Sequence, residues 1–296
     1  MSEDDAHEDI HLFETPEEAF QYLRYVGTLA DADIDLGETA LALALLFLPG
    51  VHVDRYRQHI NKLCEQVRDE YKSRLRMKED DTLALRVRIL RKIVHEAHGY
   101  KGASGGDEDL QNANLIRVIE RRRGLSVSIG LLYIILARAA GWQADALNFP
   151  GHFLVRLEAG GARVILDPFQ EAHEMDAAEL RQLLKSVIGT NAELAHEYYN
   201  TISHREMLLR LQNNLKKRMV ENDEYAQALI IIESMEALAP EDYRVLFDKG
   251  ILYVKLGQIQ QALTTLERYI AETPDMREKQ QVAVLLDQIR MGLGLE

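Results

Sequence analysis

A chain of 296 residues has room for one full hydrophobic core and a smaller second unit, since domains commonly hold roughly 100–200 residues. With 47% hydrophobic and 28% charged residues it reads as a folding chain and not a mainly disordered one. A net charge of −13 would repel a phosphate backbone, so no nucleic acid partner is expected, and the single cysteine, Cys64, excludes an internal disulfide framework and any multi-cysteine metal site.

Residues 1–14 read as an acidic, disordered tail in which Asp4, Asp5, Glu8 and Asp9 meet no Lys or Arg. That stretch lacks the basic and apolar regions of a signal peptide, which points to the cytoplasm. Over residues 15–71 the apolar positions recur at three- and four-residue spacing, broken at 31–35 and at Pro49-Gly50, which predicts three helices with Cys64 in their core. The longest apolar run, 40–48, is far short of the roughly 20 residues needed to cross a membrane, so no membrane partner is expected. Another helix fits 81–98, with Leu83, Val87, Leu90 and Val94 on one face. Residues 99–109, with four glycines and a serine, read as an exposed loop.

A short helix is predicted over 115–120. Residues 128–140 are apolar on nearly every side, and a helix without a polar face must be buried all round. Ser126 and Ser128 are both capping candidates for its start, and Gly141 ends it. The period then changes: 143–148, 152–157 and 162–166 read as strands, with Pro150-Gly151 and Gly160-Gly161 as turns. From about residue 204 the chain is helical again and repeats itself. Ala228-Leu229 and Pro240 recur as Ala262-Leu263 and Pro274 at an offset of 34 residues, the tetratricopeptide period. Gly250, Tyr253, Gly257, Ala262 and Pro274 sit where that repeat wants a small residue, an aromatic or a helix stop, whereas Lys216 occupies the glycine's place in the first unit. A last helix over 276–293 covers the final apolar face. The basic runs Arg121-Arg122-Arg123 and Lys216-Lys217-Arg218 read as solvated helix faces.

The hairpin carries a geometric inference. If Gly160 and Gly161 form a two-residue turn, Ala159 pairs with Ala162 and Leu154 comes opposite Asp167. His152 then lies diagonally across from Asp167 on the same face, with Cβ atoms about 7–8 Å apart or somewhat less, within reach of an imidazole–carboxylate hydrogen bond. A nucleophile at the start of the buried helix would complete a catalytic set, and Ser126 is the candidate there. The same serine also fits as a plain helix cap, and the same His–Asp pair as a polar link between strands.

Several stretches together resemble the transglutaminase-like core of the SirB family, bacterial proteins that couple it to C-terminal tetratricopeptide repeats. They are Asn114-Leu115, Arg122-Arg123-Gly124-Leu125-Ser126-Val127-Ser128, Ala137-Arg138-Ala139-Ala140-Gly141, Pro150-Gly151-His152-Phe153-Leu154-Val155-Arg156 and Leu166-Asp167-Pro168-Phe169. The resemblance implies a papain-like fold in which active relatives start the buried helix with a cysteine. Ser126 stands at that position, with His152 and Asp167 at the other two members of the triad. SirB-like proteins generally lack the cysteine, and they tend to carry glycines after Asp-Pro-Phe, where this chain has Gln170-Glu171. Asn114, Ser128, Phe153 and Phe169 are the expected pocket residues.

The resulting expectation is an α+β papain/transglutaminase-like domain over 15–200, with a helical base over 15–98 and a core over 110–200, followed by an all-α tetratricopeptide-like unit over 204–296. No cofactor and no metal is called for. The leading functional reading is a pseudoenzyme that binds a protein or peptide through its repeats, with Gly250, Tyr253, Gly257, Ala262, Pro274, Ala228 and Pro240 packing them. A serine-dependent amide or ester hydrolase or acyltransferase using Ser126, His152 and Asp167 is the alternative. A sensor that uses the vestigial cleft without turnover is a third.

Overall fold

The computed structural model describes residues 13–103 and 110–292. The expected acidic tail therefore lies outside the described residues except for its last two positions, and the glycine-rich loop does so over 104–109.

The helical base begins with α1 (Pro16–Thr28), opened by a reciprocal Thr15–Glu18 capping box with proline at its first turn. α2 (Leu36–Leu45) is buried nearly all round, and α3 (Asp54–Arg76) buries one stripe that includes Leu63, Cys64 and Val67. α4 (Leu83–Arg91) runs on into one turn of π-helix over Lys92–Ala97. Val87, Leu90 and Val94 lie in the core as expected, while Leu83 packs at its margin.

Two short parallel strands, β1 (Lys101–Gly102) and β2 (Arg123–Gly124), bracket α5 (Leu115–Arg121). The buried helix, α6 (Ser126–Ala139), starts two residues earlier than its apolar run, with Leu125 at the N-cap. Neither serine caps it. The capping position is the residue before the first turn, and here that residue is a leucine, so Ser126 becomes the first helical residue and Ser128 the third.

A four-stranded antiparallel sheet follows in the order β3 (Gln143–Ala146), β4 (Val155–Ala159), β5 (Ala162–Asp167), β6 (His173–Glu174). Its central hairpin has the expected register, from Ala159↔Ala162 to Val155↔Leu166. Gly160 and Gly161 sit at φ +57° and +82°, the left-handed region that a two-residue turn demands. Val155, Leu157 and Leu166 face the main core, while Leu147, Phe149 and Leu154 pack with Leu180 and Leu184 of α7 (Ala177–Ile188), a helix absent from the sequence reading.

The remaining chain is α8 (His204–Glu221), α9 (Tyr225–Leu238), α10 (Arg244–Lys255), α11 (Ile259–Glu272) and α12 (Met276–Gly292). The bounds of α9 recur in α11 at the same 34-residue offset. Ala228 and Ala262 are fully buried between helices. Gly250 lies so close to Leu266 that a Cβ would stand 2.5 Å from its side chain. Gly257 (φ +71°) ends α10, Pro240 and Pro274 follow the ends of α9 and α11, and Tyr253 lies under the Lys249 ammonium.

The main core is continuous from Phe13 to Leu252, so α8, α9 and part of α10 are buried against the first half of the chain. Gly27 of α1 approaches Ala237 of α9 so closely that a Cβ would lie 2.2 Å from the Ala237 carbonyl oxygen. The second unit has its own smaller cluster of Leu246, Leu263, Leu266, Tyr269, Val282 and Leu286. Among the described residues no helix is long and apolar enough to cross a membrane.

Candidate functional site

His152 follows the Pro150-Gly151 turn, where Gly151 adopts φ +65° and faces the side chain of Val187 at the end of α7. A Cβ there would lie 2.2 Å from Val187 Cγ1, so glycine satisfies both the backbone and the packing. This turn delivers the imidazole to the end of β5. His152 Nε2 lies 2.9 Å from Asp167 Oδ1, and the ring stands edge-on to Phe169 at 6.1 Å between centroids.

Asp167 is fully buried and surrounded by donors. Its Oδ1 also accepts the Phe169 backbone N–H at 3.0 Å, and its Oδ2 accepts from Gln170 Nε2 at 2.9 Å. A carboxylate only accepts, so the imidazole carries its proton on Nε2 and turns Nδ1 away from the pair. Gln170 is thus a further member of the polar chain at a position where resemblance led to an expectation of glycine. The loop beyond it keeps a glycine-like shape without glycine. Glu171 and Ala172 sit at φ +52° and +57°, and Arg91 donates to both of their carbonyls at 3.0 Å.

Ser126 opens α6, and its Oγ accepts the Phe153 backbone N–H at 3.3 Å. Among the described residues no hydrogen bond joins that hydroxyl to the imidazole. Ser126, Gly151, His152 and Phe153 line one cavity of about 260 Å³, and Phe149 and Pro150 extend its wall. Its other side comes from α8, through Arg210, Asn213 and Asn214. Arg210 is fixed there by Asn148 Oδ1 at 2.6 Å, the Leu147 carbonyl and Glu206.

Of the expected pocket residues, Phe153 lines the cavity and Phe169 supports the imidazole outside it. Asn114 and Ser128 do neither. Asn114 caps α5 through Arg117 N–H and ties it to the Ala44 carbonyl, while Ser128 donates to the Asn112 carbonyl inside the core. Both are polar side chains spent on buried backbone groups, which a motif cannot distinguish from pocket residues. The α8 wall was missed because it lies far along the chain from the cleft motifs. Arg210 and Asn148 stand 62 positions apart.

Comparison with known proteins finds two kinds of unit along the chain. A transglutaminase-like superfamily model matches residues 54–213, and a tetratricopeptide repeat model matches residues 215–290. A UPF0162 protein of Xylella fastidiosa (strain Temecula1) is 29% identical over 252 residues, covering 84% of this chain and 88% of that protein. Protein SirB1 of Salmonella typhimurium is 27% identical over 162 residues, covering 54% of this chain and 60% of that protein. The crystal structure of menin aligns over 91% of this chain and 73% of that chain at a TM-score of 0.40 and 8% identity, too distant to carry an argument.

Proposed function

We propose, because this chain belongs to the transglutaminase-like superfamily and carries tetratricopeptide repeats behind that core, that it works by binding and not by turnover. The partner is a protein or peptide held by the repeats and the vestigial cleft, and the setting is the bacterial cytoplasm. Two units do this work, residues 15–200 and 204–296.

One observation carries the reading. The imidazole and the buried carboxylate are bonded to each other at 2.9 Å, while the hydroxyl at the nucleophile's position is bonded to the Phe153 N–H and not to the ring. A serine hydroxyl needs an aligned base before it attacks, whereas a thiolate scaffold tolerates a looser arrangement. The His152–Asp167 link then serves to fix the turn that forms one wall of the cavity. A serine-dependent hydrolase or acyltransferase is the second reading, favoured by Ser126 and His152 lining the same cavity.

A fluorophosphonate probe applied to the purified full chain separates the two. The binding reading expects no labelling of Ser126 and no ester cleavage that depends on its hydroxyl. Labelling that vanishes in His152→Ala, or ester cleavage abolished by Ser126→Ala, overturns it.

A further inference from the structure

Away from the cleft, α3, the end of the π-helical turn and the C-terminus of α5 bring a set of positive and basic side chains together. Arg122, left-handed at φ +57° as it leaves α5, donates from Nη1 to His59 Nε2 at 2.7 Å and stacks 4.7 Å over the Tyr100 ring. Tyr100 is buried and its hydroxyl meets the same imidazole nitrogen at 2.9 Å. His98 stands edge-on to His59 with ring centroids 5.6 Å apart and reaches Gln66 Oε1 at 2.6 Å. Lys62, exposed on α3 three residues beyond His59, adds a second fixed cation.

No carboxylate acts on either ring among the described residues. The charges acting on the two rings come from Arg122, Lys62 and, for His59, His98; all are positive or become so on protonation. The neighbouring carboxylate in sequence, Glu120, is taken up by Arg55, Arg117 and Tyr56. In a chain of net charge −13, an arginine and a lysine beside two imidazoles form a local concentration of positive charge suited to an anion.

We propose that His59, Lys62, His98 and Arg122 form a binding site for a phosphate group, either free or as the monoester of a small molecule. A dianion with several acceptor oxygens matches two fixed cations, and Arg122 keeps donors beyond the Nη1 that it spends on His59 and Tyr100. Nucleic acid is not the source, given the overall charge. Binding draws a proton onto His98, because the anion favours its charged form, while His59 Nε2 remains the acceptor for the Arg122 N–H. The groups that face the two imidazoles are Lys62 from α3, Arg122 from α5 and Tyr100, whose hydroxyl burial pushes up to about 12 and so keeps neutral.

The test is thermal unfolding of the full chain at constant ionic strength, with chloride as reference. Inorganic phosphate, glycerol phosphate and sulfate are the probes, and sulfate keeps its charge throughout the pH range. At about 10 mM probe and about pH 6 the expected rise in Tm over chloride is about 2–4 °C, and smaller at about pH 8 for sulfate. Lys62→Gln, at an exposed position that leaves the fold intact, is expected to remove at least half of the rise, and Arg122→Gln all of it. A larger rise with glycerol phosphate than with phosphate identifies a monoester, and equal rises the free ion. No rise, or an equal rise in the wild type and in Lys62→Gln, overturns the site and leaves the reading of the cleft untouched.

Discussion

If the His152–Asp167 link is retained to hold the cavity wall, removing its carboxylate must cost stability even though no reaction is lost. Asp167→Ala deletes the acceptor for three donors: His152 Nε2, the Phe169 N–H and Gln170 Nε2. A hydrogen bond to a charged acceptor contributes about 1.5–3 kcal/mol, but the three costs do not simply add. Gln170 is exposed and can turn to water, and the His152 side chain keeps 17% exposure, so both recover part of their loss. The Phe169 N–H has no such freedom. The expected destabilisation is therefore about 2–4 kcal/mol, against about 1–2 for Asp167→Asn, which keeps one acceptor oxygen, and about 1 for His152→Ala. Urea denaturation of the full chain, followed by far-UV circular dichroism, gives all three, and a double-mutant cycle isolates the pair. An Asp167→Ala variant within about 0.5 kcal/mol of wild type, or a His152–Asp167 coupling below about 0.3 kcal/mol, would refute the structural role.

Three further outcomes follow from the same packing. Gly130→Ala would gain about 1 kcal/mol of helix propensity, but its Cβ would stand 2.3 Å from the Phe153 ring, so a net loss of about 1–2 kcal/mol is expected in urea denaturation. Arg205→Ala leaves the carbonyls of Gly27, Leu29 and Leu238 without the guanidinium donor, and Val26 with only the Leu29 N–H, and should lower Tm by about 4–8 °C in a scanning experiment, loosening α1 and α9 from α8. Acidification should destabilise the fold between about pH 6.5 and pH 4, because desolvation and the Arg122 charge hold His59 down to about 4 while the unfolded ring titrates near its ordinary value. In that window the unfolded chain binds the extra proton, so stability falls as pH falls, by about 1–2 kcal/mol after allowing for the ring's partial exposure. His59→Asn should flatten this part of the profile.

The helical base, the hairpin register and the His152–Asp167 contact were legible because each is set by a short-range rule. Apolar spacing defines the helices, and a Gly-Gly turn at positive φ fixes which residues face each other over the next five pairs of the ladder. What escaped was decided by partners distant in sequence. The sequence does hold a signal for α7, the Asp176–Glu179 capping box ahead of Leu180 and Leu184, but β6 is two residues long and carries no period at all. Asn114 and Ser128 were misread as pocket residues because the carbonyls they satisfy, Ala44 and Asn112, belong to other segments. Gln170 shows the opposite error: a departure from the glycine that resemblance led one to expect turned out to supply a donor to Asp167.

The division into two units also meets a physical limit inside α8. The two family matches change over between residues 213 and 215, in the middle of a helix that runs His204–Glu221. Its first half is tied to the core: Asp31 accepts the backbone N–H groups of His204 and Arg205, Arg205 takes up the last carbonyls of α1, and Arg210 grips Asn148 just beyond β3. Its second half belongs to the repeats, with Lys216 paired to Asp248 of α10. A continuous helix is stiff over this length, since each added residue closes another backbone hydrogen bond. Asn213 lines both the cavity beside His152 and the groove that Lys216, Arg244 and Asp248 form with α8, so a displacement of the repeats carries the cavity wall with it. The cleft and the repeats therefore share one rigid element, and a ligand that fits either must accept the position that the other imposes.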